Sequence, residues 1–165
     1  MKTRATSPVD ALSRVLFGTL LSLFFSLSTG CAQELRLGEF EPFVIAFEAE
    51  ATRQGTPIVV TDLVIERGHL GPAEGGATVA AHCERAALAT PRIVVNEDLW
   101  DTFDAPYQES ILFHELGHCL LGRDHDDTLI DEGVARSLMK SDAPVGHVYV
   151  AHKAHYLHEL FHPAE

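Results

Sequence analysis

Residues 114–125 read His-Glu-Leu-Gly-His-Cys-Leu-Leu-Gly-Arg-Asp-His. On a helix, side chains four apart share a face, so His114 and His118 can aim their imidazoles at one ion. Glu115 projects beside that ion, where it can hold a water rather than ligate. Two nitrogen ligands and a general base in one turn are the mechanical content of an H-E-x-x-H sequence on a helix. Gly122 can end the helix in a left-handed conformation. The chain then turns back, and His125 can approach the ion from the loop as a third ligand. Glu115 sits among Phe113, Leu116 and Leu120. An unpaired carboxylate buried there is costly, which argues that it has a chemical task. Three imidazoles suit Zn2+ better than calcium or magnesium, which prefer oxygen, and three protein ligands leave a catalytic zinc one open position. The chemistry expected is peptide-bond hydrolysis, with zinc activating a water and Glu115 moving its proton to the leaving amine. The alternative from another class is a zinc-binding protein without turnover, a metal scavenger or binding module. It gives Glu115 no task, and a closing fourth ligand such as Asp124 or His147 would favour it.

These residues, with a Ser137-Leu138-Met139 segment downstream, resemble the metzincin clan of zinc metallopeptidases. More narrowly, the chain resembles small bacterial zinc-dependent lipoproteins with a His-Glu-Leu-Gly-His-Cys core. The specific motifs cover residues 113–139, and a looser match in the order of elements covers about residues 40–162. The resemblance implies an α+β fold: a small twisted mixed sheet packed on an N-terminal helix, an active-site helix and a C-terminal helix. It implies a hydrophobic Met-turn at Met139, an edge strand that binds extended peptide, and a tyrosine assisting the oxyanion, for which Tyr149 and Tyr156 are candidates. The chain departs from the clan in one place. Three residues separate His118 from Gly122 where the pattern H-x-x-G-x-x-H has two, a shift of ~1.5 Å and ~100° along the helix. Counting from His118 puts Asp124 at the third ligand position; counting from the glycine puts His125 there. His125 is preferred because the glycine turn defines the geometry, and Asp124 stays open as the alternative.

The start of the chain reads as a leader. Lys2, Arg4 and Arg14 precede the apolar run Val15–Leu27, which is shorter than the ~20 residues needed to span a bilayer and suits a signal-peptide core. Leu27-Ser28-Thr29-Gly30-Cys31 resembles a bacterial lipobox, with Ser28 where leucine is usual. Cys31 is thus the expected lipidated residue, and simple cleavage near Ala32 is the alternative. The expected organisation is a signal peptide over 1–30, a tether over 31–40 and one zinc metallopeptidase-like domain over 41–165. The location expected is the cell envelope, lipid-anchored on the periplasmic face of the outer membrane or at the cell surface. In such an oxidising compartment Cys83 and Cys119 can pair as a disulfide; Cys119 as a buried thiol is the alternative.

The 165 residues carry 12 Lys and Arg against 24 Asp and Glu, a net charge of −12. The leader takes away three basic residues and only Asp10, so the remainder is more acidic still. No basic patch is available to meet phosphates, which argues against nucleic acid as a partner. The expected partners are a peptide or protein substrate and a membrane reached through the anchor, with the chain a monomer.

Around the motif, Pro42–Arg53 has helical spacing, and Gly55 can cap its end. Residues 58–66, 77–83 and 92–96 read as strands, with a glycine-rich loop over 68–76. Trp100 and Phe103 are expected under the motif helix, which starts at Asp104 as N-cap with Pro106 in its first turn. Asp126 and Asp127 read as loop residues that could also orient a ligand. Residues 148–161 form the expected last helix, with His152, His155, His158 and His162 as a polar stripe. His69 and His82 are expected to be ordinary loop and strand residues.

Overall fold

A computed structural model describes residues 33–163, apart from 73–75, 77 and 132. The expected signal peptide and Cys31 lie outside the described residues. The elements in chain order are β1 (Leu35–Arg36), α1 (Glu41–Arg53), β2 (Leu63–Gly68), β3 (Ala81–Glu84), β4 (Arg92–Asn96), α2 (Ala105–Leu121), β5 (Leu129–Asp131), β6 (Val134–Ala135) and α3 (Gly146–Phe161), with 3-10 turns at Gly38–Phe40 and Trp100–Thr102. The architecture is α+β, with three helices and a small mixed sheet among the described residues.

Four strands form that sheet in the order β1-β2-β4-β3. β1 and β4 run parallel to β2, and β3 runs antiparallel to β4. Ile93, Val94 and Val95 of β4 are all buried, as an unbroken apolar run in a central strand requires. β3 is an edge strand of the sheet among the described residues.

α2 is buried without a break from Ser110 to Gly117, and again at Cys119. It packs on α1, α3, β3 and β4. Phe47 of α1 meets Phe113 of α2 edge-on at 5.2 Å and Phe161 of α3 at 5.1 Å. Such aromatic contacts add ~0.5–1.5 kcal/mol to burial. Gly117 lets its neighbours close on the helix: a Cβ there would lie 2.6 Å from the Met139 sulfur and 3.0 Å from Leu160. The helix starts as its sequence requires, with the Asp104 carboxylate accepting the Tyr107 N–H at 2.9 Å. It ends at Gly122, left-handed with φ 68°.

Four sequence expectations shift. The tether over 31–40 is structural from Leu35: β1 pairs with β2, and Phe40 is buried edge-on against Trp100 at 5.5 Å. The strand expected from residue 58 starts at Leu63, because the Val60 N–H is taken by the Glu48 carboxylate instead of a ladder. The strand expected over 77–83 is Ala81–Glu84, the length its partner β4 can pair. Trp100 packs on Phe40 and Phe43, and touches α2 through its carbonyl, which accepts from Gln108.

Cys83 of β3 and Cys119 of α2 form a disulfide, with Cα atoms 5.8 Å apart and a separation of 36 positions in sequence. It bolts the edge strand to the motif helix. Replacing both cysteines by alanine should lower the unfolding free energy by ~3–4 kcal/mol, the loop-closure entropy of a crosslink this long. Denaturant titration checks this, and an unchanged midpoint would contradict the crosslink.

Candidate metal centre

Buried His114, half-buried His118 and exposed His125 form one group whose ligand atoms all lie within 4.8 Å of one another. Their rings are 4.6 to 5.3 Å apart between centroids. The first two come from successive turns of α2. The third comes from the loop after Gly122, whose left-handed turn sends the chain back across the helix end. Asp124 lines the same cleft but does not join the group, and neither does His147. The glycine turn, rather than the residue count from His118, decides which side chain arrives.

Both helical histidines are oriented from behind. His114 Nδ1 lies 2.9 Å from the Leu138 carbonyl, and His118 Nδ1 lies 2.6 Å from the Arg123 carbonyl. A carbonyl only accepts, so each Nδ1 carries the proton and donates. Burial pushes the His114 imidazolium pKa down to about 4 against the opposing Leu138 bond, and burial also lowers that of His118. Both rings are then neutral near pH 7, with a lone pair on Nε2. Those two Nε2 atoms face each other at 3.0 Å. Two lone pairs at that separation repel unless a cation lies between them. Metal–nitrogen bonds of ~2.0–2.1 Å in tetrahedral geometry set two ligand nitrogens ~3.3 Å apart. The three histidines therefore fit a metal ion, and the group could hold one.

Glu115 is buried beside this group, 7 % exposed. Burial pushes its carboxyl up to about 7, and a hydrogen bond from the Cys83 backbone opposes the shift. The Asn96 N–H donates to the Ala80 carbonyl. Antiparallel alternation then turns the N–H and C=O groups of Ala81 and Cys83 away from β4. The edge strand thus presents its free backbone to the cleft, and one of its N–H groups reaches Glu115. The cleft has a volume of about 650 Å³ and is lined by β3 residues, the three histidines, Glu115, Tyr107, Ile111, Arg123, Asp124 and the segment Ser141–Ala143.

The loop that carries His125 is pinned to the segment holding Met139. Asp126 donates its N–H to the Met139 carbonyl at 2.8 Å, and its carboxylate binds Thr128 and Arg136. The Asp127 carboxylate accepts from the Ser141 N–H and hydroxyl at 2.9 and 2.8 Å. Neither aspartate bonds to His125 directly; each fixes the backbone that presents it. Met139 is fully buried beneath α2 and packs on Gly117.

Other expected residues lie elsewhere. Tyr149 and Tyr156 are fully buried, and neither lines the cleft; Tyr149 is hydrogen-bonded to Glu109. The tyrosine that does line it is Tyr107, at the start of α2. His82 lies on β3 at the rim outside the histidine group, and His69 pairs with Glu97 and Asp98. His155 of α3 donates to the Arg136 carbonyl, and His162, just past the end of α3, donates to the Gln54 carbonyl. The carbonyls of Leu138 and Arg123 were not foreseeable, because a backbone acceptor leaves no mark on residue type.

No family model matches this chain, and no curated protein or solved structure is significantly similar to it.

His125→Ala should weaken Zn2+ binding by more than ~100-fold, since partners outside the ligand set alone are worth ~10–100-fold. Asp124→Ala should stay within a few-fold of the parent. Competition against a chelator measures both, and the opposite ranking would assign the third ligand to Asp124.

Proposed function

We propose that this chain is a zinc-dependent metallopeptidase of the metzincin type, with His114, His118 and His125 as ligands and Glu115 as general base. The observation that carries the reading is the pairing of a three-imidazole group with a buried carboxylate held by the edge strand of the same cleft. Metal binding alone needs no such carboxylate. Three nitrogen donors favour zinc among the common divalent ions of the cell. A zinc ion held there supplies Lewis acidity, polarising a carbonyl oxygen and making water nucleophilic near neutral pH.

The chain's own groups do the rest. The outward N–H and C=O of Ala81 and the outward C=O of Cys83 pair with an extended peptide laid along β3, as an added strand does, while the Cys83 N–H stays on Glu115. This aligns the scissile carbonyl with the histidine group. Glu115 accepts a proton as water adds to the carbonyl carbon. It returns that proton to the nitrogen as the C–N bond breaks. Tyr107 lines the cleft, and its hydroxyl, whose pKa burial raises, stays protonated at neutral pH. The Met139 side chain keeps the underside of the helix apolar. The disulfide suits the oxidising cell envelope, the location read from the leader.

Residues 32–165, loaded with zinc, should cleave members of a mixed peptide library. Glu115→Gln should bind zinc as tightly and lose at least ~100-fold in kcat/KM, the usual contribution of a general base. Equal zinc binding without cleavage by either protein would point instead to the non-catalytic zinc-binding module.

A further inference from the structure

We propose that Glu159 is a positioning residue for the metal centre, its one carboxylate fixing both backbone carbonyls that orient the helical histidines. The inference rests on the reading of His114, His118 and His125 as metal ligands. Glu159 belongs to α3 and is only 8 % exposed. Oε1 accepts from Arg123 Nη2 at 2.6 Å, and Oε2 accepts a short hydrogen bond from the Ser137 hydroxyl. The two arms lead to the two ligands by separate routes.

Along the first route, Arg123 also donates through Nη1 to the carbonyls of Glu159 and Leu160 at 3.0 and 2.8 Å. These belong to the last turn of α3, where carbonyls lack helical partners. The guanidinium fork is thus fixed at three points, and the backbone it hangs from gives its carbonyl to His118 Nδ1. Along the second route, the Ser137 hydroxyl accepts the Met139 N–H at 2.9 Å. This closes a turn around Leu138, whose carbonyl takes the proton of His114 Nδ1. Arg123 and Glu159 side chains are 13 % and 10 % exposed, so solvent screens the pair little. Removing the carboxylate frees both carbonyls at once, and with them the tilt of both imidazoles.

A comparison within the same fold separates positioning from mere support. Glu109 of α2 also joins α2 to α3, through the Tyr149 hydroxyl and Lys153. It touches neither carbonyl-bearing segment. Glu159→Gln, Glu109→Gln and the parent chain are compared by thermal unfolding of the metal-free proteins, by Zn2+ affinity against a chelator, and by the absorption spectrum of the Co2+ forms. Both variants are expected to unfold at lower temperature. Glu159→Gln alone should weaken Zn2+ by ~10–100-fold and alter the Co2+ bands, while Glu109→Gln keeps the parent's affinity and spectrum. If Glu159→Gln does not fold, Ser137→Ala, which cuts only the arm that leads to His114, should show a smaller loss of affinity that Glu109→Gln does not. Parent-like affinity and spectrum in the folded variant overturn the inference, as does an equal loss in both glutamate variants. A parent chain that binds no Zn2+ or Co2+ overturns the metal-centre reading itself.

Discussion

The Nδ1–H groups of His114 and His118 each donate to a backbone carbonyl, and the rest of the cleft follows from that pair of bonds. They fix the tautomer of both rings and leave a bare lone pair on each Nε2. Burial keeps the rings neutral, so the two lone pairs meet across 3.0 Å with no proton to share. A site built this way could hold a cation. His125 adds a third nitrogen from the loop, and the three ligand atoms lie close enough together to hold a metal ion.

Holding that arrangement constrains segments far apart in sequence. α2 is surrounded on most sides, so each polar group it carries needs a partner in the core. His114 and His118 find theirs in the segments on either side of β5 and β6, Ser110 in the Pro144 carbonyl, and Glu115 in the edge strand. The disulfide keeps β3 at the distance this last contact requires. Asp126 and Asp127 knit the His125 loop to the Met139 segment, and Glu159 gathers both segments from α3. Gly117 lets Met139 and Leu160 close against the helix from below. Packing and ligand orientation are therefore properties of one network, not of separate layers.

The motif helix and its third histidine were legible because their signals are local: a 3.6-residue period, an aspartate cap, and a glycine at the turn. Between Asp124 and His125 the sequence favoured His125, because the glycine turn rather than the residue count sets where the chain comes back. β4 was legible to the residue, as an apolar run bounded by proline. β2 was misplaced at its start because Ile58, Val59 and Val60 look like strand, but the Val60 N–H bonds to the Glu48 carboxylate of α1 instead of a ladder. The segment before α1 looked like a tether, although Leu35, Leu37 and Phe40 carry the apolar spacing of something docked. Glu159 was invisible: among the histidines of α3 it reads as a solvent-facing acid, and its partners lie 22 and 36 residues away. Tyr107 was passed over for Tyr149 and Tyr156 because proximity to Met139 in sequence is not proximity to the cleft.

The most direct test of the metal-centre assignment is a crystal structure of the zinc-loaded chain with anomalous scattering recorded at the zinc absorption edge. The assignment predicts one strong peak within ~2.0–2.1 Å of a ring nitrogen from each of His114, His118 and His125, with the Nδ1 bonds to Leu138 and Arg123 kept. A peak lacking His125, a peak among the histidines of α3, or no peak at the cleft would contradict it.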